Sequence, residues 1–297
     1  SYSVTTNVSL NFNTGLYHQL PAYTVLGYRD NTSRLVNKDV LDYISVAQSV
    51  FGVEYNTLSN LKFTVEGFYK CYDRYPMMLV SGDTIPLANL GGDFGVVGND
   101  PVAGKTQGRS YGVEFLAQQK LNKGFYGIVA LTFVRSEFRD KHGSYVPSAW
   151  DSRYIISLTG GKIFKRNWEA GAKLRAGGGA PYTPYDVAQS SLKASYDLNP
   201  QGIKDYDLLN TQRLGAFYQL DIRVDKKYNF KKISLNVFLD VQNVTGFRFK
   251  GQSLLVPERD ANGNAQTDPG DASRYQMKFL DNFSGTRLPA IGIIVEL

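Results

Sequence analysis

Apolar residues recur at every second position from one end of this chain to the other, and the 3.6-residue period of an amphipathic helix almost never appears. From Val8, one face reads Val8, Leu10, Phe12, Thr14 and Leu16, and the other reads Ser9, Asn11, Asn13, Gly15 and Tyr17. The same two-faced pattern runs through Phe51, Val53 and Tyr55, through Leu61, Phe63, Val65 and Tyr69, and through Tyr111, Val113, Phe115 and Ala117. It returns in Tyr154, Ile156 and Leu158, in Trp168, Ala170, Ala172 and Leu174, and in Tyr218, Leu220, Ile222 and Val224. The last two runs are Ile233, Leu235, Val237, Leu239 and Val241, then Ile291, Ile293, Val295 and Leu297. One further segment, about residues 125–137, is apolar on both faces, so its orientation stays open. Together these give ten strands, with a remnant of an eleventh at residues 1–3.

The connections alternate strictly between short and long. Short ones fall at 56–60, 122–124, 162–167 and 226–232; long ones at 20–42, 72–107, 139–149, 179–213 and 245–288. Long structureless loops are uncommon in compact soluble domains. An antiparallel transmembrane barrel requires this asymmetry, with short turns at one end and long extracellular loops at the other. Strands of about ten residues tilted near 45° also match the apolar thickness of a bilayer. A soluble β-sandwich alternates too, so alternation alone does not separate the two. The loop asymmetry does, and the expected fold is all-β, a transmembrane antiparallel up-and-down β-barrel.

Composition narrows the classes. The single cysteine, Cys71, excludes an intramolecular disulfide framework and a Cys-cluster metal site. Two histidines, His18 and His142, leave little for zinc or imidazole chemistry. Mean hydropathy is −0.28, and the most apolar stretch, residues 127–134, is far too short for a spanning helix. A helical membrane protein is excluded, whereas a barrel is not. Lys and Arg read as evenly scattered, with pairs such as Lys231 and Lys232 but no long basic block, so the formal charge of +6 reads as a mildly basic surface and not a nucleic-acid site. The start has no initiator Met, charged n-region or apolar h-region, and reads as that of a mature or truncated fragment.

The polar faces carry six acids and six bases: Glu54, Lys62, Glu66, Lys70, Glu114, Arg153, Glu169, Lys173, Arg175, Asp221, Arg223 and Asp240. Of these, Glu66, Glu114, Glu169, Lys173, Arg175, Asp221, Arg223 and Asp240 are the candidate lumen-facing residues. Their balance argues against a strongly ion-selective open pore and suits walls whose charges are paired, acids beside bases and not beside each other. Tyr69, Tyr111, Trp168 and Tyr218 are candidates for the aromatic girdles at the membrane interfaces. The run from Asp260 to Asn264 has oxygen ligands at positions one, three and five of a calcium loop, but Ala265 stands where the turn needs Gly and Asp271 where a bidentate Glu belongs, so a polar turn is expected. Gly92, Gly95 and Gly98 are followed by no helical pattern and do not read as a phosphate cradle. Cys71 is expected at an outward or loop-proximal position, and His18 as a surface residue near the extracellular end of its strand. No Ser/His/Asp set has a supporting context, so neither an enzyme nor a cofactor or metal is expected.

Eight ordered segments resemble the C-terminal barrel of TonB-dependent outer-membrane receptors, in their Bacteroidetes form. They are SLNFNTGLYHQLP (9–21), NLGGDFGVVGNDP (89–101), GRSYGVEFLAQQKL (108–121), GFYGIVALTFVRSEF (124–138), WDSRYIISLTGGK (150–162), GGAPYTPYD (178–186), LDVQNVTG (239–246) and LPAIGIIVEL (288–297). The resemblance covers essentially the whole chain. It implies a place in the bacterial outer membrane and about ten C-terminal strands of a 22-stranded barrel. The first half of that barrel, the plug and the TonB-contacting segment would then lie outside residues 1–297. The implied function is energy-coupled uptake of a scarce, bulky ligand such as a siderophore, haem, vitamin, glycan or peptide.

The implied partners are the missing barrel half and plug, TonB, outer-membrane lipid, the imported ligand and the barrel-assembly machinery, with no nucleic acid. Ile291, Ile293, Val295 and Leu297 resemble the terminal insertion signal that the assembly machinery reads by strand pairing. Leu297 departs from the family pattern, in which the final residue is typically aromatic. Two other readings are a passive porin or adhesin-like barrel, and a soluble β-sandwich presenting loop aromatics to carbohydrate.

Overall fold

The computed structural model describes residues 1–58, 60–92 and 97–297. Ten long strands form one sheet in chain order. They are β1 (Val8–Gln19), β2 (Ile44–Asn56), β3 (Leu61–Val80), β4 (Val102–Asn122), β5 (Phe125–Arg139), β6 (Tyr154–Phe164), β7 (Trp168–Gly177), β8 (Phe217–Asn229), β9 (Ser234–Gln242) and β10 (Leu288–Glu296). Every neighbouring pair is antiparallel, and the sheet runs from β1 to β10 without closing. Tyr2–Ser3 adds the short eleventh strand beside β1. No helix is long and apolar enough to cross a membrane, which is no constraint on a barrel.

Register makes the alternation continuous across the sheet. One face carries the rows Phe12–Phe51–Gly67–Val113–Phe133 and Leu158–Leu174–Leu220, ending in Leu239–Ile291. Many of these side chains are exposed, Ile291 by 79% and Phe12 by 65%. So large an apolar surface needs an apolar partner. The segment that was ambiguous in sequence, β5, follows its neighbours: Val129 and Leu131 join this face through Ala117 and Phe115, and Ala130 and Thr132 join the other. Tyr69 and Tyr111 stack on the apolar face at the loop end, 5.9 Å apart, with Tyr218 on the same face of β8. Trp168 lies on that face at the turn end. Tyr218 and Tyr228, ten residues apart on β8, are separated by roughly 33 Å of strand.

Two strands run beyond the sequence expectation. The stretch 72–107 was read as loop, yet β3 continues to Val80 and β4 begins at Val102, because a bulge between Tyr72 and Tyr75, with Arg74 at φ 57°, absorbs the break in alternation. The long connections are not structureless either. They hold short ladders such as Leu254–Pro257 with Met277–Leu280, and short helices at Val187–Ser191 and Lys193–Tyr196. At the opposite end, Lys123 and Gly124 form the two-residue turn between β4 and β5, both at positive φ as a type I′ hairpin demands.

The buried core sits where the long connections fold against the extended ends of β3 and β4. Val25, Met78 and Leu87 are its centre, with Leu41, Tyr75, Val80, Leu90, Val97 and Val102 packed around them. Along most of their length the wall strands turn one face to an apolar surface and one to a polar surface, and their few buried side chains, such as Thr64, Ser110 and Phe138, lie between neighbouring strands or toward the loop end. Asn37 ties three loop segments together: its Nδ2 donates to the carbonyls of Val25 (2.9 Å) and Asp100 (3.0 Å), and its Oδ1 accepts from the Val102 amide (2.8 Å). Asn37→Ala leaves those buried groups unpaired and is expected to cost about 2–3 kcal/mol of cap stability, read as lost amide-exchange protection at Val102. At the base of the longest loops, Gly179 lies so close to the Leu214 carbonyl that a Cβ would approach it to 1.7 Å, which only glycine avoids.

Folding also gathers charge that looked scattered in sequence. The turn end comprises residues 54–62, 119–125, 162–169, 225–234 and 296–297. Its cations are Lys62, Lys120, Lys123, Lys162, Lys165, Arg166, Lys226, Lys227, Lys231 and Lys232, ten of the chain's 33; its acids are Glu54, Glu169, Asp225 and Glu296, four of 27. That leaves 23 of each sign elsewhere, so the whole formal charge of +6 resides at this end.

Candidate functional site: a polar wall under an extracellular cap

All eight candidate wall residues share the polar face of the sheet. Glu66 lies between Gly52 and Glu114, Lys173 between Thr159 and Asp221, Arg175 between Ser157 and Gln219, and Asp240 between Arg223 and Ala290. Pairing among these charges is partial. Lys62 meets Glu54 at 2.5 Å, and Arg175 meets Asp221 at 3.3 Å. Asp221 also accepts from Gln219 Nε2 (2.8 Å) and the Asn243 amide (2.9 Å). Arg223 grips Asp225 with two donors, at 2.9 and 2.8 Å, while its guanidinium lies 3.8 Å from the centre of the Phe238 ring. The Tyr126 hydroxyl donates to Glu169.

The expectation that carboxylates avoid one another fails at two places, where Glu66 faces Glu114 and Glu169 faces Asp225. Glu66 and Glu114 are direct register partners, and neither forms an ion pair among the described residues. Facing positions on neighbouring strands are set by register, which single-strand patterns do not contain. Arg153 is not part of the wall: it precedes β6 at φ 64°.

Above the charged rows the same face becomes aromatic. Tyr17, Ile155 and Phe217 are exposed there, Phe217 with Phe249 edge-on at 6.5 Å. Tyr72, Tyr75 and Phe138 cluster beside them, with ring centres 4.6–6.2 Å apart. A wall with mixed charges below and aromatic edges above offers stacking surfaces and hydrogen-bonding groups on one face. It presents no nucleophile–base pair, and among the described residues no group of three or more His, Cys, Asp or Glu is arranged to hold a metal.

The cap is fastened by polar struts that sequence reasoning did not find. Arg109 donates from Nε (2.9 Å) and Nη2 (2.8 Å) to Glu137, which also meets Arg135 at 3.0 Å. Arg135 reaches Asp151 at 3.3 Å, and Arg213 closes the chain with a direct bond to the same carboxylate. Asp151 is fully buried and also accepts from the Ser136 amide at 2.8 Å. The available signal was the appearance of Arg135 and Glu137 at outward positions of an otherwise apolar strand, which marks its exit from the membrane level. Elsewhere in the cap, Asn210 bonds the carbonyls of Asn89 (3.1 Å) and Pro147 (2.9 Å).

A second strut titrates. Lys141 reaches from one loop to Asp83 (2.5 Å) and Asp207 (2.9 Å) on two others. The hydrogen bonds that Lys141 donates to both carboxylates raise the lysine above its ordinary range, and the one to Asp207 holds that carboxyl below its usual 3.8. A depressed carboxylate stabilises above its unfolded pKa and loses that contribution as pH falls through the folded one; a raised lysine stabilises below its unfolded pKa and loses it as pH rises through the folded one. The link is therefore complete between about pH 4 and about pH 10. Loop proteolysis is expected to accelerate on acidification below that window, and Lys141→Gln removes the acid dependence.

The remaining candidates have simple surroundings. Ile291, Ile293 and Val295 lie on the apolar face against Leu239, Val237 and Leu235, and Leu297 follows the end of β10. Cys71 is exposed on an outward strand position between Ala47 and Arg109. His18 bonds Ser45 Oγ at 3.0 Å, and Arg74 donates to the same hydroxyl. Asp260 accepts from the amides of Asn262 (2.9 Å) and Asn264 (2.8 Å), the self-contained polar turn that the sequence predicts. Gly92 packs against Ala149 and Gly98 against Val25; Gly95 lies outside the described residues.

This architecture is an open antiparallel sheet of the β-barrel type. The chain matches no family model and no curated protein by sequence. Its fold is similar to the ferric citrate transporter FecA in the unliganded form (TM-score 0.59, 14% identity, 99% of this chain and 37% of that one). It is similar to the siderophore receptor PiuA from Acinetobacter baumannii (0.58, 12%, 98% and 34%). It is also similar to the ferripyoverdine receptor of the outer membrane of Pseudomonas aeruginosa bound to ferripyoverdine (0.56, 14%, 99% and 32%). The chain spans about a third of the length of these receptors, and at such identity the likeness is one of fold.

Proposed function

We propose that these ten strands are part of the barrel wall of a TonB-dependent outer-membrane receptor that imports a bulky, scarce ligand. The observation that carries this reading is the combination of one unbroken apolar face with a folded extracellular cap above a polar, charged wall. A passive pore needs no buried core in its loops, whereas a receptor that selects a ligand needs loops held in place. The proposed partners are the remaining strands and plug of the same receptor, TonB, the barrel-assembly machinery acting on the β10 strand, and the surrounding lipid. The unpaired wall charges, Glu66 and Glu114 foremost, then face the plug or the passing ligand.

The intact protein, reconstituted into planar bilayers, is expected to hold no steady open conductance, and cells are expected to lose uptake when TonB is depleted. Steady conductance without TonB identifies a passive porin instead. A monodisperse chain in buffer without detergent identifies a soluble sandwich.

A further inference from the structure

The charge gathered at the turn end points to a lipid partner, on an argument that rests on the membrane-embedded reading. Of the ten cations there, Lys62 pairs with Glu54 and Lys227 with Glu296. The other eight form no ion pair among the described residues. Unscreened cations crowded on one rim repel each other, and a matching anionic surface removes that penalty.

The placement of two lysines says what that surface is. Lys162 and Lys226 belong to the apolar face: Lys162 pairs with Phe125 and Ala170, and Lys226 with Trp168 and Val237. Lys226 Nζ lies 5.3 Å from the Trp168 ring centre and 5.2 Å from that of Tyr228, besides donating to the Arg166 carbonyl. Lys162 Nζ lies 5.5 Å from the Phe164 ring centre. Amphipathic aromatics settle at the headgroup level, and lysines beside them lay their stems along apolar surface while the ammonium reaches the phosphates. A soluble acidic partner would meet the turn tips at Lys231 and Lys232, not side chains turned toward the bilayer.

We propose that the β6–β8 turn end of this protein binds the headgroups of anionic phospholipid in the leaflet that it borders. The rim then sets the depth of the barrel and collects acidic lipid around it.

Fluorescence quenching of Trp168 tests this in the intact protein, reconstituted into phosphatidylcholine nanodiscs. The emission is assigned by its loss in Trp168→Phe. At equal mole fraction, brominated phosphatidylglycerol is expected to be enriched at this tryptophan about fivefold over brominated phosphatidylcholine, the effect of roughly one added basic contact. The double variant Lys162→Gln/Lys226→Gln is expected to remove the preference. Equal quenching by both lipids overturns the inference and leaves the membrane reading standing. Quenching by neither overturns both. A preference that survives the double variant and vanishes in Lys231→Gln/Lys232→Gln moves the contact to the turn tips and overturns its assignment to Lys162 and Lys226.

Discussion

Asp151→Asn is expected to loosen the extracellular cap by about 3 kcal/mol while leaving the wall strands intact. Asp151 is fully buried and satisfies Arg135, Arg213 and the Ser136 amide at once. Arg213 also donates to the Asp151 and Gly179 carbonyls, so the carboxylate locks the entrance of one loop to the exit of another. The amide side chain preserves the volume and one acceptor but takes from Arg213 its counter-charge and from Arg135 one of two, Glu137 remaining, at a fully buried carboxyl position. Removing one partner of a buried pair costs far more than the pair contributes relative to an apolar replacement. Limited trypsinolysis reads the result: cleavage at Lys193 and Lys204, in the loop that Arg213 closes, is expected to accelerate by one to two orders of magnitude, as about 3 kcal/mol implies for local opening. The exposed pair Lys227–Glu296, 2.6 Å apart at the turn end, is the control, because Lys227→Gln at such a surface costs at most about 1 kcal/mol and touches nothing in the cap. Unchanged cleavage in Asp151→Asn shows that the cap is held by its apolar core alone.

The contrast between wall and cap explains what the sequence discloses. Wall strands report their own structure because their two faces have different surroundings, and the period of two survives in most strands from Val8 to Val295, with β5 apolar on both faces. All ten strands, the outward place of Tyr69, Tyr111, Trp168 and Tyr218, and the shared face of the eight charged candidates are legible this way. Register is not. That Glu66 meets Glu114, or that Lys226 rests on Trp168, depends on how far one strand slides along the next, and the pattern is invariant to slides of two. The cap is illegible for a different reason. Its contacts join Asn37 to Val102 and Asn210 to Asn89 across 65 and 121 residues, through single side chains with no periodicity. The bulge at Arg74 hid the extension of β3 because it interrupts the alternation by which strands are read. Net charge misled in the same way: even spacing along the chain becomes concentration at one end once alternate connections are short.

The assignment of faces makes the largest prediction from a change of one position. Leu131 and Thr132 are neighbours on β5, yet Leu131 pairs with Phe115 and Ile156 on the apolar face while Thr132 pairs with Glu114 and Ile155 on the polar one. An arginine on the lipid face near the bilayer centre costs about 2–4 kcal/mol, because its guanidinium must thin the membrane or reach for an interface. Leu131→Arg is therefore expected to lower unfolding stability in phosphatidylcholine vesicles by about 2 kcal/mol or more, measured by guanidinium titration. Thr132→Arg places the same group opposite Glu114, which has no ion-pair partner and whose other neighbour is Glu66, so it is expected to be neutral or stabilising by up to about 1 kcal/mol. In detergent micelles, which deform around a charge more easily than a bilayer, the Leu131→Arg penalty is expected to shrink while the Thr132→Arg effect persists, because the latter belongs to the protein's own charge arrangement. Equal penalties at both positions are incompatible with a wall between lipid and a polar interior. They are what a soluble sandwich predicts if the β4–β5–β6 faces are both packed, and they would return the long loops to the status of an unexplained feature.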